Sequence, residues 1–298
     1  MPSVAIGSAS YAGSGSAVAI GNFDGVHAGH RAVLAAAKAF GRVCAYTFDP
    51  APTAVVAPAR HQARITTLRD RVTRLGEAGA DEVVVEPFTK AWAAHSARWF
   101  AEEVLAKRLR AGAVVVGYDF RFGMGREGDV AKLRAWLPDL EVHVVAPFEE
   151  GGVPVSSSRI RRLVLAGDVE GAAALLGRPH ELVGTVVHGD HRGRTIGFPT
   201  ANLENEVELV PADGVYAVGA IVDGGEERRG VTNVGLRPTV DGARRTIETH
   251  LLGFDGDLYG RELRLRVVAR LRDERKFASL AELKEQIARD VAAAEALP

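Results

Sequence analysis

The chain has 298 residues, 47% of them hydrophobic and 25% charged, with a formal net charge of -1. That length suits two domains, the mix is that of a water-soluble globular protein, and so small a net charge leaves no electrostatic footprint for nucleic acid or a membrane partner. No apolar run reaches the roughly 18 residues of a membrane span. The lone Cys44 admits no internal disulfide and suits a cytoplasmic setting. The opening stretch, "MPSVAIGSASYAGSGS", lacks the positive flank of a secretory leader and reads as a loose N-terminus.

From about Ala17 to Gly177, short apolar runs alternate with amphipathic ones. "AVAIG" precedes "HRAVLAAAKAF", with the helix expected from Arg31 onward. "RVCAYTF" precedes "TTLRDRVTRLGEAG", and "DEVVVEPF" precedes "ARWFAEEVLAKRLRAG". "AVVVG" precedes "DVAKLRAWL", and "EVHVVAPF" is fifth. Nearly continuous β-branched runs separated by helices predict a Rossmann-like parallel sheet with right-handed crossovers. "SSSRIRRLVLAGDVEGAAALLG" then predicts two short helices that stop at Gly-Arg-Pro.

After Pro179 the period changes. "ELVGTVVHGD", "GVYAVGAIVDG", "RRGVTNVG", "RTIETHLLGFDG" and "RELRLRVVARLR" are short strands cut by Gly, Asp and Pro, which predicts an antiparallel β-barrel. "SLAELKEQIARDVAAAEAL" closes the chain as a helix, with Ser279 and Glu282 spaced as a capping box. Two domains follow, residues 1–179 and 180–298.

Four stretches carry chemistry. "GNFDGVHAGH", Gly21 to His30, is a loop feeding a helix at the carboxyl edge of the predicted sheet, where amide N–H groups and the helix dipole favour anions. His27 and His30, three apart, project to one side of a first helical turn and can meet charge developing at phosphorus. "SSSRIRR" sets Ser157 and Ser158 at the opening of a helix with Arg161 one turn in, a group suited to a triphosphate. "GYDFRFGMGREGD" carries Asp119, Arg121 and Arg126 around Phe120 and Phe122. The arginines and aromatics suit a ring and its phosphate, while the two phenylalanines at period two also suit a strand end packed into the core. "HGDHRGRTIGFPTANLE" reads as a compact loop in which Thr200 and Asn202 are oxygen donors of the kind Mg²⁺ accepts beside ATP phosphates. His188 and His191 lack the partners a zinc site needs. Glu248 stands in a strand either as a solvated acid or as a base aimed into a pocket.

Gly-x-Phe-Asp-Gly-x-His-x-Gly-His resembles the phosphate-binding signature of the His-x-Gly-His adenylyltransferases, and "SSSRIRR" their second signature, with Ser158 where threonine is usual. "GRTIGFPTAN", Gly193 to Asn202, resembles the flavokinase signature. In that order, the two resemble the layout of the bacterial bifunctional riboflavin kinase/FAD synthetase family over nearly the whole chain. The resemblance implies that the C-terminal half phosphorylates riboflavin with ATP to give FMN. Gly193, Arg194, Gly197, Phe198 and Pro199 would bind ATP, Thr200 and Asn202 would hold Mg²⁺-ATP, and Glu248 would be the general base. It implies that the N-terminal half joins FMN to a second ATP, giving FAD and pyrophosphate. There Gly21, Asn22, Phe23, Asp24, Gly29, Ser157, Ser158 and Arg161 would bind ATP, and His27 and His30 would stabilise charge. Asp119, Arg121 and Arg126 would place flavin or nucleotide, although asparagine is usual where this chain has Asp119. A flavin-binding protein without catalysis, and an adenylyltransferase of another substrate carrying an accessory barrel, are the rival readings.

Overall fold

The structure, a computed structural model, describes residues 1–189, 197–239 and 242–297. The chain forms two compact units, residues 1–63 with 67–157, and residues 64–66 with 158–298.

In the first unit the strands are β1 (Ser3–Ile6), β2 (Ala17–Ile20), β3 (Val43–Asp49), β4 (Glu82–Pro87), β5 (Ala113–Gly117) and β6 (Glu141–Val145). They form one parallel sheet in the order β1-β4-β3-β2-β5-β6. The connections carry α1 (Ala28–Ala37), α2 (Pro52–Val56), α3 (Leu68–Glu77), α4 (Lys90–Ala93), α5 (Ala97–Trp99) with a π-helical continuation (Phe100–Arg108), and α6 (Val130–Trp136). A short hairpin of β7 (Glu149–Glu150) and β8 (Val153–Pro154) follows. The central strands β2, β3 and β5 are mainly apolar and buried because both faces are covered. Val18, Ile20, Cys44 and Tyr46 pack with Val104, Leu105 and Leu133 on one side. Ala17, Ala19, Ala45 and Val83 pack with Val33, Leu34 and Leu75 on the other.

The N-terminus is not loose. Ser3–Ile6 pairs in parallel with Glu82–Val85 as an edge strand, too short and too exposed to show a period in the sequence. The Gly/Ser-rich segment after it is fastened to β4 by two glutamates. Glu86 accepts from the Ser8 amide at 2.9 Å and the Tyr46 hydroxyl at 2.6 Å. Glu82 accepts from Tyr11 at 2.6 Å and from Ser14 and Ser16, each at 2.9 Å. Burial raises the Glu82 carboxyl, but these three hydroxyls and Arg42 outweigh it, and the group titrates below its ordinary 4.5. Burial, followed by the bond to Glu82, raises the Tyr11 phenol above its ordinary 10.0.

A depressed carboxyl stabilises the folded state above its unfolded pKa and loses that contribution as pH falls through the folded value. A raised phenol contributes below its unfolded pKa and loses that as pH climbs through its folded value. The strap is therefore expected to loosen below pH 4.5 and again above pH 10. Hydrogen exchange at Val4–Ile6, corrected for intrinsic rates, should show both limbs. Glu82→Gln should loosen these amides at neutral pH and flatten the acid limb. Unchanged protection in that variant would mean the strap is held by β1 pairing alone.

The second unit opens with α7 (Ser157–Ala166), the unit boundary falling after its first residue, and α8 (Val169–Leu176), which ends at Gly177 in the left-handed conformation. Then come β9 (His180–Val187), β10 (Ala201–Asn205), β11 (Gly214–Val222), β12 (Glu227–Thr239), β13 (Gly242–Leu251) and β14 (Glu262–Arg272). They close an antiparallel barrel in the order β10-β13-β12-β11-β14-β9. Period-two alternation sends Leu263, Leu265 and Val267 inward, against Leu182, Tyr216 and Ile247, while Arg264 and Arg266 turn outward to Glu181. The last helix, α9 (Leu280–Ala296), lies on the outer wall, with Ala294 and Val291 against Val215, Ala217 and Val231. Ser279 caps it by accepting from the Glu282 amide at 3.2 Å, and Glu282 reaches back to the Ala278 amide rather than to that of Ser279.

Candidate active sites

The loop between β2 and α1 is strained and buried. Phe23, Gly25 and Val26 have φ of 49°, 86° and 41°, costly for the two non-glycine residues. Both side chains are inserted into the core beside Leu34 and Ala37, at 1% and 2% exposure, which holds the turn in place. Helix α1 begins at Ala28, three residues before the expected start, so His27 is its N-cap rather than part of its first turn. The His27 Nδ1 accepts from the His30 amide at 3.4 Å, which leaves the ring proton on Nε2. The two imidazoles stack with centroids 3.6 Å apart and planes 19° apart, and Phe23 meets His30 edge-on. A side chain at Gly29 would press on the His27 ring at 3.3 Å.

Gly21 donates its amide to Tyr46 O. Asp24 is buried, and its carbonyl accepts from the Ser157 hydroxyl at 3.0 Å, so the two N-terminal signatures meet there. Ser158 is exposed and Arg161 half-buried on α7 within the second unit.

Sequence reading missed Arg71. This residue of α3 is 4% exposed and donates to Asn22 O at 3.0 Å and to Asp49 at 3.2 Å. It ties the phosphate-type loop to the end of β3. Nothing local distinguishes it from the other arginines of its helix, since its partners come from elsewhere in the chain. Arg71→Met is expected to destabilise the first unit by about 1–3 kcal/mol, because the hydrogen bonds of the buried guanidinium to Asn22 O and Asp49 are lost. Thermal unfolding would read the loss, and an unshifted transition would remove Arg71 from this role.

Phe122 is packed into the core and Phe120 stacks on it at 5.2 Å, so the packing alternative for this pair is the one realised. Arg121 pairs with Asp129, the N-cap of α6, at 2.8 Å. The Asp129 carboxyl is held below its ordinary value by the Lys132 amide and then by Arg121. Asp119 and Arg126 are exposed. A second feature absent from the sequence reading is an aromatic cluster after β4. His95 stacks on Trp99 at 3.6 Å, Trp92 meets both edge-on, and the Arg108 guanidinium lies over Trp99. This segment, like the loops after β2 and β5, follows the carboxyl end of its strand.

In the barrel, Gly193 and Arg194 lie outside the described residues, as does His191. Gly197 is exposed with φ of 88°. The expected compact loop ends earlier than its sequence indicated: Ala201–Asn205 is strand β10, so Asn202 is set by sheet register. Asn202 pairs with Glu248 on β13, and both are half-buried. The Asn202 amide lies over the bare Cα of Gly189, where a Cβ would come within 2.2 Å of Nδ2. The His250 Nδ1 donates to Pro199 O at 2.8 Å, and its ring receives the edge of Phe198. His250 therefore pins the residues just before Thr200, a role visible only in three dimensions. Thr200 lines a cavity of about 280 Å³ with Val186, Thr249, Leu251, Phe254 and Tyr259. His188 stacks on Tyr259 at 3.9 Å, and no metal-binding group of histidine, cysteine and carboxylate side chains occurs among the described residues.

The FAD synthetase family matches residues 10–159 and the riboflavin kinase family residues 176–297. A bifunctional riboflavin kinase/FMN adenylyltransferase of Escherichia coli K12 is 43% identical over 283 residues, covering 93% of this chain and 90% of the relative. One from Bacillus subtilis is 37% identical over 289 residues, covering 92% and 90%. A crystal structure described as a macrolide-efflux protein from Streptococcus pneumoniae superposes with a TM-score of 0.90 at 30% identity, covering 99% of each chain. That description is of that protein; among the described residues here no helix is long and apolar enough to cross a membrane. With an adenylyltransferase loop capped by stacked histidines, a flavokinase motif in register with a carboxylate, and both family matches in chain order, the chain belongs to the bifunctional riboflavin kinase/FMN adenylyltransferases.

Proposed function

We propose that Glu248, Thr200 and Asn202 make FMN from riboflavin and ATP on the barrel, and that the His27–His30 loop then joins FMN to a second ATP. The observation that carries the kinase assignment is the pairing of Asn202 with Glu248, which sets an amide oxygen donor beside a carboxylate on one face of the wall.

The donor set fits Mg²⁺. A threonine hydroxyl and an asparagine amide are hard oxygen ligands, few enough for an ion that keeps waters and phosphate oxygens. Gly189 leaves the Asn202 amide room to turn. Bound there with ATP, the ion would neutralise phosphate charge as the γ-phosphoryl group moves. Glu248 takes the proton of the ribityl 5′-hydroxyl as the new O–P bond forms and ADP departs. The cavity beside Thr200, with Leu251, Phe254, Leu258 and Tyr259 in its wall, suits a flat ring of either substrate.

In the first unit the FMN phosphate attacks the α-phosphorus of ATP and pyrophosphate leaves. A phosphate monoester is ionised at neutral pH, so no base is needed. The His27 N-cap, with Nδ1 engaged by the His30 amide, presents Nε2–H as a donor at the helix start. Ser157, fixed on Asp24 O, holds a phosphate, with Asp119, Arg121 and Arg126 toward the flavin nucleotide. The aromatic surface of Trp92, His95 and Trp99 supports a reading in which it receives the isoalloxazine ring.

Chromatography of products from riboflavin, ATP and Mg²⁺ tests the whole assignment, and truncation tests its division. The kinase residues fall within 180–298, but α8 buries Val169 in the barrel core. A fragment starting at Ser158 is therefore expected to fold and to make FMN but no FAD, while the full chain makes both. A folded, soluble fragment of that length without kinase activity would overturn the assignment of this half.

A further inference from the structure

The ladder between β2 and β3 runs in register from Ala17 with Val43 to Ile20 with Tyr46. Its last main-chain bond is that of the Gly21 amide to Tyr46 O at 3.1 Å. One residue further on, side chains take over. Thr47, the next residue of β3 and fully buried, donates its hydroxyl to Asn22 O at 3.0 Å. Arg71 of α3 donates Nη1 to the same carbonyl at 3.0 Å and Nη2 to Asp49 at 3.2 Å. Two buried donors from different elements therefore converge on one oxygen. A buried hydroxyl has to find a partner, and that of Thr47 finds it in the loop rather than in its own sheet.

Asn22 O is the first of three alternate loop carbonyls that accept from side chains. Asp24 O accepts from the Ser157 hydroxyl at 3.0 Å, and Val26 O from Arg31 Nη1 at 3.1 Å. A peptide unit is planar, so holding a carbonyl oxygen also sets the direction of the N–H of the residue that follows. The turn between these tethers contains the φ values of 49°, 86° and 41° at Phe23, Gly25 and Val26, a conformation that persists only where its surroundings impose it. The tether at Asn22 stands at the entry to this turn. Both of its donors are at most 4% exposed, so water does not compete for them.

We propose that Thr47 and Arg71 are positioning residues for adenylyl transfer: together they hold the Asn22 carbonyl, and through it the strained turn that leads to His27 and His30. Each acts through Asn22 and has no need to meet ATP. The inference rests on the reading of the His27–His30 loop as the adenylyltransferase site.

FAD formation from FMN and ATP by the full chain tests it, with FMN formation from riboflavin measured on the same samples and with His30→Ala as the reference. Thr47→Val keeps the branched shape and removes the donor. It is expected to lower kcat for FAD about 10-fold, part of the roughly 10²-fold that a misplacement of about 1 Å can cost, with KM for ATP changed only a few-fold. Thr47→Ser keeps the donor and removes a methyl group, and is expected to stay within a few-fold of wild type. Arg71→Lys keeps a charge for Asp49 but not the fork that reaches Asn22 O at the same time, and is expected to be about as slow as Thr47→Val. FMN formation should be unchanged in all of them. If Thr47 served only to fill space, the order would reverse, because the serine variant leaves a cavity and the valine variant does not. A serine variant slower than the valine variant, or FAD formation near the wild-type rate in Thr47→Val while His30→Ala is defective, would overturn the proposal and leave the loop as the site. FAD formation near the wild-type rate in His30→Ala would instead remove that reading of the loop, and this inference with it. Thermal unfolding of each variant, with assays run well below the transition, separates a lost domain from a displaced loop.

Discussion

His30→Ala is expected to lower FAD formation from FMN and ATP by about 10²–10³-fold, equivalent to about 3–4 kcal/mol, with FMN formation from riboflavin unchanged. The loss should fall on kcat more than on the KM for ATP, because the charge that His30 meets grows in the transition state. The geometry explains why the effect should be local. The His30 backbone amide, which caps onto His27 Nδ1, survives the substitution, and so does the helix start. What goes is the ring that stacks on His27 and receives the edge of Phe23. His27 then keeps its backbone position and loses the wall that holds its imidazole upright. His30→Asn, which retains a donor near the same place, should recover part of the rate. FAD synthesis near the wild-type level in His30→Ala would remove the stacked pair from the chemistry and leave the loop as a strand-to-helix turn.

What could be read in the sequence was whatever depends on near neighbours. The apolar runs of β2 to β6 and the alternation in "LRLRVVARLR" announced a doubly covered parallel sheet and a barrel wall, because burial imposes period and composition directly on those residues. The Ser279–Glu282 cap is local for the same reason. Elements that failed to show were those specified by distant partners. Ser3–Ile6 is a strand because β4 offers it an edge, and the Gly/Ser stretch behind it is ordered because Glu82 and Glu86 collect its hydroxyls and an amide.

The same division runs through the sites. Motif spacing identified His27, His30, Thr200 and Asn202. It did not show that His27 would be a cap, nor that Asn202 would be a strand residue placed by register against Glu248. Arg71 and His250 carry no motif at all. Each matters through a contact between residues distant in sequence, Asn22 with Arg71 at a separation of 49 and Pro199 with His250 at 51.

Glu248→Gln is expected to stop the kinase and leave the adenylyltransferase running. A ribityl hydroxyl is a poor nucleophile, and a placed carboxylate must take its proton as the bond to phosphorus forms. Glutamine keeps the shape and can still hydrogen-bond across the strand, but it cannot accept that proton. Removing a general base costs about 10²–10⁴-fold, and the loose transition state of phosphoryl transfer favours the lower part of that range, since little proton transfer is needed early. Fed riboflavin and ATP, the variant should accumulate neither FMN nor FAD. Fed FMN and ATP, it should make FAD at nearly the wild-type rate. Register makes the substitution a clean one: Glu248 lies on the outer face between Asn202 and Asn233, half-buried, while the neighbours that build the core, Ile247 and Thr249, point inward and are untouched. The barrel should therefore unfold at the same temperature as the wild type. If Glu248 were only a solvated acid on a strand face, both assays would change within a few-fold. That outcome would strike Glu248 from the catalytic group while leaving Thr200 and Asn202 as the proposed ATP and metal ligands.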